Sequence, residues 1–227
     1  MRLTWLSEHD PPGHFPDPEA ALREPQGLLA AGGDLSVPRL LSAYSRGIFP
    51  WYAQQQPILW WSPDPRMVLF PAEFKCSRSL SKTLRNGPYR TTLDEDFGAT
   101  IRACAEPRSS GAGTWLDPAM IRAYKRLHEA GFAHSVETWK DGELVGGLYG
   151  VHLGRVFFGE SMFSRARDAS KVALARLVAE CPARGIELID CQVASGHLHS
   201  LGAREIPRRE FTQLLRRWVK PPDPQIA

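Results

Sequence analysis

Asp141-Gly142 lies between two runs of residues that favour extended backbone, and this arrangement constrains the fold more than any other feature of the sequence. The two runs cover residues 134–139 and 143–151. An Asp-Gly pair between such runs is among the strongest short-range signals of a β-hairpin, because both residues tolerate a positive φ. Residues 155–162 and 186–193 have the same character and predict two further strands. We therefore expect a sheet built at least partly from hairpins.

Helix signals alternate with these strands. The clearest helix is predicted after Ser36, a typical N-cap residue, with Pro38 in its first turn and Gly47 as its stop signal. Helices that cover hairpin-paired strands predict the α+β class. Helical spacing of apolar residues recurs in four more segments, namely Phe97–Cys104, the segment from Pro118 with Asp117 as its cap, the segment from Asp168 or Ser170 to just before Pro182, and Pro207–Trp218.

The first quarter of the chain differs in composition from the rest. Residues 1–65 are rich in proline, glycine and tryptophan. Between Phe49 and Pro65 the prolines are so frequent that no regular structure is predicted. We place a boundary near Ser62–Pro65. The sequence thus predicts a small N-terminal domain over residues 1–64 and a larger domain over residues 65–227.

The lengths of the apolar runs and the spacing of the cysteines indicate in which cellular compartment the protein works. No run approaches 18 apolar residues, and the apolar stretch at the N-terminus is too short for a signal peptide. The four cysteines stand without a CxxC pair, which indicates reduced thiols. His197 and His199 are interpreted as a solvated pair, since only Cys191 lies near them as a further metal ligand. We expect a cytoplasmic protein that binds neither membrane nor metal.

Basic residues point to a nucleic-acid partner. Arginine outnumbers lysine by 22 to six, and its planar guanidinium suits phosphate, although codon usage in a GC-rich genome would produce the same bias. Arg78, Lys82 and Arg85, here called the basic stripe, fall at i, i+4 and i+7 of a predicted helix. No acidic residue lies between Glu73 and Asp94. The basic stripe therefore suits a phosphate backbone, and the alternative is a solvated charged face.

Residues 108–113 match the R-x-x-G-x-G spacing with which acetyltransferases bind the pyrophosphate of coenzyme A. That loop has to follow a strand, whereas here it follows a helix that Pro107 ends. The predicted strand that does precede a long helix continues through residues 164–168 without a glycine. We interpret the match as a chance one. Acetyl transfer from acetyl-coenzyme A stays as an alternative function.

Three polar side chains stand out in the predicted strands. Glu160 follows a run of apolar residues, and Asp190 and Gln192 lie two residues apart, on one face of a regularly alternating strand. A carboxylate beside an amide in mid-strand is either a satisfied buried hydrogen-bond pair or part of a site. Such a site would handle a positive charge or a proton near a carbonyl.

Seven motifs follow one another along nearly the whole chain: GLLAAGGDL (27–35), YSRGIFPW (44–51), WWSPDPR (60–66), GESMFS (159–164), LIDCQ (188–192), SLGA (200–203) and EIPRR (205–209). Together, and in this order, they resemble the bacterial leucyl/phenylalanyl-tRNA–protein transferases. The resemblance implies an enzyme that moves leucine or phenylalanine, less often methionine, from aminoacyl-tRNA to proteins that begin with Arg or Lys. The product would be an N-degron. The resemblance also implies a GNAT-like larger domain without the coenzyme A loop; we expect a monomer without cofactors.

The same resemblance implies where the substrates bind. Trp51 and Trp115 are the expected aromatic walls around the terminal adenosine of tRNA. The basic stripe, which is inferred from its charge pattern and not from the resemblance, is the expected contact elsewhere on tRNA. The pocket for the amino-acid side chain is expected to consist of Phe157, Tyr124, Leu148, Leu174 and Ile189.

Catalysis is assigned to the polar residues of the strands. The Asp190 carboxylate and the Gln192 carbonyl are expected to orient the acceptor amine and help take its proton, and Glu160 is expected to face a positive charge. The departing ribose hydroxyl is the other candidate for that proton, in which case positioning supplies most of the rate. A non-catalytic tRNA-binding module is a third interpretation of the chain.

Overall fold

The fold is given by a computed structural model that describes residues 3–106 and 116–220. Its first sheet contains four short strands in the order β1-β2-β4-β3, of which only β1 and β2 run parallel. These strands are β1 (Thr4–Leu6), β2 (Leu28–Gly32), β3 (Phe49–Pro50) and β4 (Leu59–Trp61).

The expectation of no regular structure between Phe49 and Pro65 is wrong. Pro50 is tolerated because β3 is an edge strand, where a missing N–H leaves no ladder bond unmade. Trp60 in β4 is fully buried, and its indole N–H donates to the carbonyl of Gly32 at 2.9 Å. Burial of this large ring therefore holds a segment that proline alone would leave irregular.

The second sheet has seven strands in the order β11-β5-β10-β9-β8-β7-β6. All neighbours are antiparallel except β9 and β10, which run parallel. A parallel pair needs a crossover connection, and α5 (Ala169–Arg184) supplies it. The strands are β5 (Arg66–Leu69), β6 (Arg90–Leu93), β7 (Ala133–Lys140), β8 (Glu143–Leu153), β9 (Val156–Ser164), β10 (Leu188–Gln192) and β11 (Arg204–Ile206).

The predicted hairpin is confirmed as β7 and β8. Its turn residues Asp141 and Gly142 have φ values of 52° and 84°. Positive φ at both central positions is the signature of a type I′ turn, whose twist matches that of the flanking strands. The strongest local signal in the sequence therefore forms two neighbouring strands of the larger sheet, with β8 next to the central strand β9.

The helices begin at the predicted caps. Ser36 and Asp117 each accept a backbone N–H of the first turn with their side chains, so the helices predicted after them are confirmed. The helices besides α5 are α1 (Val37–Ser45), α2 (Arg78–Asn86), α3 (Phe97–Cys104), α4 (Pro118–Glu129), α6 (Gly196–Ser200) and α7 (Arg208–Trp218). None of the described helices is long and apolar enough to cross a membrane.

The prediction that α5 ends before Pro182 is wrong, since the helix continues to Arg184. Pro182 lies in the last turn, where its missing N–H removes a single intrahelical bond. The helix ends instead at Gly185, whose φ of 66° is left-handed, and the N–H of Ile186 donates back to the carbonyl of Cys181 at 2.9 Å. The C-terminal glycine, rather than the proline, is the stop signal.

One apolar cluster joins the two sheets. It includes Tyr44 from α1, Trp60 from β4, Tyr124 from α4 and Phe158 from β9. The last strand of the first sheet ends at Trp61, and the second sheet begins at Arg66. The division of the chain into domains at residues 64 and 65 stays a prediction, because the two parts share this core.

Candidate active site

The site lies where the two parallel strands stop pairing. The register of β9 and β10 runs from Leu188 opposite Val156 to Asp190 opposite Phe158 and goes no further. Glu160 and Gln192 each lie two residues beyond the last paired residue of their strand, at the carboxyl end of the paired region. A crevice at the carboxyl ends of adjacent parallel strands is a common place for ligands in α/β sheets.

The expected regular alternation of β10 is wrong. A β-bulge interrupts the pairing of β10 with β5 between Asp190 and Gln192, and Gln192 has a φ of 63°. The bulge lets the backbone N–H of Gln192 donate to Asp190 Oδ1 at 2.9 Å. Asp190 and Gln192 are therefore neighbours, as predicted, but through a backbone bond rather than through a shared strand face.

A cavity of about 480 Å³ opens at this end of the strands. One part of its wall consists of the four apolar residues predicted for the amino-acid pocket, Leu148, Phe157, Leu174 and Ile189, and another part holds Glu160 and Asp190. The sequence-predicted apolar and acidic residues are thus brought to one cavity. Such a cavity can hold an apolar side chain beside a cationic group.

Asp190 is fully buried and forms an ion pair with Arg66. Arg66 Nε donates to Oδ1 at 2.8 Å, and Nη2 donates to Oδ2 at 2.7 Å. The guanidinium also donates through Nη1 to the carbonyl of Gly47 at 3.1 Å, and it lies between the rings of Phe49 and Phe211, whose centroids are 4.8 and 4.7 Å from its central carbon. Both oxygens of Asp190 therefore already accept hydrogen bonds before any substrate enters.

Sequence analysis missed Arg66. The only signal was its place at the end of the WWSPDPR motif, where the proline-rich segment passes into β5. A single arginine at the start of an apolar strand needs a buried anion, because an unpaired buried charge is strongly unfavourable.

Glu160 lies at the centre of a hydrogen-bond network. Its Oε2 accepts from the hydroxyl of Tyr124 at 2.8 Å, and its Oε1 accepts from Nε2 of Gln192 at 2.8 Å. The hydroxyls of Tyr124 and Tyr44 are 2.5 Å apart. The pKa of Glu160 is raised to about 7, chiefly by burial; the hydrogen bonds from the two tyrosines oppose the rise, and the nearby Asp190 carboxylate contributes to it. Glu160 therefore changes charge near neutral pH.

Gln192 is not part of the cavity wall, although the sequence placed it in the site; it acts on the cavity through Glu160, to which its Nε2 donates at 2.8 Å. Cys191, which lines the cavity, is not a nucleophile, because burial raises the pKa of its thiol well above the usual range. Tyr124 is fully buried and acts on the cavity through Glu160 rather than as part of its wall.

Trp51 lies outside the cavity wall. It follows β3, its side chain is 48% exposed, and its ring centroid lies 5.6 Å from that of Trp61 in an edge-on contact. The other predicted adenosine wall, Trp115, and the R-x-x-G-x-G match at residues 108–113 lie outside the described residues. A partly open indole is available for stacking on a base.

The basic stripe forms as predicted on α2. Arg78, Lys82 and Arg85 are exposed. None of them forms an ion pair with any residue that the structure describes. No cluster of His, Cys, Asp and Glu that could hold a metal occurs among the described residues either. The charge of the stripe is therefore not neutralised within the described protein surface.

Solved structures resemble this fold at low sequence identity. FemX matches with a TM-score of 0.51 and 10% identity, covering 67% of this chain and 64% of FemX. A GCN5-related N-acetyltransferase from Kribbella flavida matches with a TM-score of 0.41 and 12% identity, covering 73% of this chain and 58% of its own. The predicted α+β class is confirmed, and the fold resembles that of FemX; the GNAT-like character of the larger domain stays a prediction.

Sequence relatives identify the family. A family model described as leucyl/phenylalanyl-tRNA protein transferase matches residues 68–216, and the model of its N-terminal domain matches residues 33–64. The leucyl/phenylalanyl-tRNA–protein transferase of Nitrosospira multiformis is 61% identical over 96% of this chain and 92% of its own length. That of Pseudomonas fluorescens is 58% identical over 97% of each chain. The chain therefore belongs to the leucyl/phenylalanyl-tRNA protein transferase family.

Proposed function

We propose that this protein transfers leucine or phenylalanine, less often methionine, from aminoacyl-tRNA to the α-amine of proteins that begin with Arg or Lys. The reaction takes place in the cytoplasm, and its product is an N-degron that marks the protein for degradation. The observation that carries the proposal is a cavity with both an apolar wall and two carboxylates at the end of β9 and β10. Membership of the family supports the donor and the reaction type.

The two kinds of cavity wall suit the two substrates. Phe157, Leu148 and Ile189 are apolar and favour the side chain of leucine or phenylalanine. Glu160 favours the positively charged side chain of an acceptor that begins with Arg or Lys, since a desolvated charge needs a partner. Donor and acceptor are thus held at one place with their reacting ends together.

The chemistry needs no covalent enzyme intermediate. The acceptor amine, with a reference pKa of about 7.7–8.0, attacks the ester carbonyl of the donor, an amide bond forms, and the bond to the ribose oxygen breaks. Glu160, whose carboxylate accepts a hydrogen bond from Gln192, orients the amine at the cavity wall. Asp190 positions Gln192 through the backbone hydrogen bond across the bulge. The departing ribose oxygen takes the proton, because both oxygens of Asp190 are held by Arg66.

One assay tests the function. Purified protein is mixed with labelled leucyl-tRNA and a protein that begins with Arg, without ATP or added metal. We expect labelled leucine at the N-terminus of the acceptor. Label from acetyl-coenzyme A as the sole donor, with none from leucyl-tRNA, would instead establish an acetyltransferase.

Trp51→Ala is expected to weaken binding of the donor by about 1–3 kcal/mol, the usual contribution of a base stacked on an aromatic ring. The ring is half exposed and so offers a face to the terminal adenine. Binding of an aminoacyl adenosine measures the effect, and Trp51→Phe, which keeps an aromatic face, serves as the matched control. Equal losses in both variants would show that Trp51 stabilises β3 and β4 rather than the base.

Replacing the basic stripe by alanine is expected to weaken tRNA binding and to remove up to about three phosphate equivalents from its salt dependence. Transfer from an aminoacyl adenosine, which lacks the tRNA body, should stay nearly unchanged. The control variant replaces three exposed arginines of α7, Arg209, Arg216 and Arg217, and so removes the same charge elsewhere. If both donors lose activity equally in the stripe variant, the stripe is structural.

A further inference from the structure

We propose that an open groove of about 860 Å³ between the first sheet and α4 binds the unpaired nucleotides that precede the terminal adenosine of the donor tRNA. This inference rests on the proposed function and extends it to a second RNA site. The groove, here called the Trp5 groove, is lined by Trp5, Gly32, Tyr52, Arg122 and Arg126, among others. Its chemistry is that of an aromatic platform beside two guanidinium groups.

Trp5 is the most exposed of the large apolar side chains that the structure describes, at 67%. Its ring is nevertheless held in place. Gly32, with a φ of 83°, lies so close that a Cβ on it would be 3.0 Å from the indole nitrogen of Trp5. The edge of the indole therefore rests on glycine backbone and most of the ring stays open, which favours stacking of a base without preference for its identity.

Arg122 and Arg126 are spaced by four residues on α4, so both point from the same face of the helix. Both are exposed, and within residues 3–106 and 116–220 neither forms an ion pair. Arg126 donates to the carbonyl of Leu35 at 3.5 Å, which leaves most of its donors available. Two guanidinium groups in a row suit successive phosphates of an RNA strand.

The acidic residues in the lining of the groove are Glu8, Asp34 and Asp117. Asp34 is paired with Arg39 at 2.8 Å, and Asp117 caps α4 by accepting the N–H of Met120 at 2.7 Å. The two guanidinium groups offer several hydrogen-bond donors side by side, which suits the phosphates of an RNA strand better than a basic acceptor N-terminus.

The Trp5 groove continues from the predicted adenosine site. Tyr52 lines the groove and directly follows Trp51 in the chain, so their Cα atoms are about 3.8 Å apart. The same helix that carries Arg122 and Arg126 carries Tyr124, whose hydroxyl contacts Glu160 in the active site. We therefore expect a strand whose terminal adenine stacks at Trp51 to place its preceding nucleotides at the mouth of this groove.

The test compares RNA probes of different length. Binding of a single-stranded RNA tetranucleotide that ends in adenosine is measured beside binding of adenosine alone. Trp5→Ala is expected to weaken tetranucleotide binding by about fivefold to a hundredfold, the range that one base–aromatic stack provides. The double variant Arg122→Ala/Arg126→Ala is expected to lower the slope of log affinity against log salt by about 1.4, for two phosphates of a single strand. Adenosine binding should not change in either variant.

Two matched variants control for loss of structure and of charge. Trp5→Phe keeps an aromatic platform and should recover most of the affinity. Arg216→Ala/Arg217→Ala removes two exposed charges from α7 and should leave the tetranucleotide affinity nearly unchanged. Equal tetranucleotide binding by wild type, Trp5→Ala and the Arg122/Arg126 variant would overturn the proposal.

Two further outcomes separate this inference from the proposed function. If the variants raise the KM for the acceptor protein and leave RNA binding unchanged, the groove is a protein site and the RNA assignment is wrong. If wild-type protein fails to transfer leucine from tRNA but its tetranucleotide affinity depends on Trp5 and the two arginines, the groove is an RNA site on a protein with another reaction.

Discussion

Asp190→Asn is expected to lower the free energy of unfolding by about 3–5 kcal/mol, the usual cost of removing one partner of a buried ion pair. The substitution leaves Arg66 buried between two aromatic rings with its charge uncompensated. Denaturant titration measures the effect. Although the asparagine keeps the shape of the side chain, the resulting protein should lose stability as well as transfer activity.

Two further variants test whether the loss of stability comes from the buried Arg66–Asp190 ion pair. Arg66→Met combined with Asp190→Asn removes both charges, and its loss of stability should be smaller than the sum of the single losses. Glu187→Gln breaks the half-exposed pair with Arg155, which is expected to contribute about 0–1 kcal/mol. An Asp190→Asn protein that is as stable as wild type but inactive would show that Asp190 acts in the chemistry directly and does not anchor the site through Arg66.

The contrast between Asp190 and Arg66 shows what the sequence could predict about the site. Polar residues in an apolar strand are visible locally, so Glu160, Asp190 and Gln192 are predicted as site residues without the structure. Arg66 is 124 positions away from Asp190 in the chain, and the two meet only because β5 pairs with β10. No spacing rule within a single strand contains that pairing. The bulge at Cys191 was equally invisible, because alternation was the only available rule for β10.

The same distinction applies to the fold: elements set by neighbouring residues are predicted, and elements that depend on distant pairing are not. The Asp141-Gly142 hairpin and the helix after Ser36 follow from turn and cap residues that lie next to the elements they begin or end. Strands β2 and β4 were missed, since each is short and owes its existence to pairing with the other over about thirty residues. The helix boundary at Pro182 was misplaced because a proline in the last turn disturbs little.

The burial of Tyr44 can be predicted from the sequence, but the contact that links its hydroxyl to the active site cannot. Its helical spacing with Leu40 and Leu41 predicted burial, and the side chain is indeed fully buried. Its hydroxyl, however, contacts Tyr124 and thereby reaches Glu160, which joins the N-terminal part of the chain to the active site. Apolar periodicity cannot reveal such a link, because it treats tyrosine only as a core residue.

Glu160→Gln is expected to lower transfer to peptides that begin with Arg by about tenfold to a hundredfold, since an unpaired desolvated charge costs about 1–3 kcal/mol. Transfer to Ala-starting peptides and binding of aminoacyl-tRNA should fall much less. Rates with Arg-, Lys- and Ala-starting peptides under saturating donor measure the preference. Glu143→Gln, at an exposed position of β8, is the control for loss of a carboxylate.

The pH dependence provides a second, independent readout. The pKa of Glu160 is raised to about 7 by burial, so the fraction of ionised Glu160 increases between pH 6 and pH 8. The preference for Arg-starting over Ala-starting peptides should rise over that interval in wild type and stay flat in Glu160→Gln. Deprotonation of the acceptor amine accelerates transfer to both peptides and therefore cancels from the ratio of the two rates.

Measuring the stability of Glu160→Gln shows whether its loss of transfer reflects acceptor recognition or a folding defect. Because the pKa of Glu160 is higher in the folded protein than its usual 4.5, the stability associated with its neutral form is present below pH 4.5 and is lost as the pH rises through about 7. Glutamine is neutral throughout, so the stability of Glu160→Gln relative to wild type should increase with pH over that range, in contrast to the loss in Asp190→Asn. A variant that retains the Arg preference and its pH dependence would show that another group recognises the acceptor.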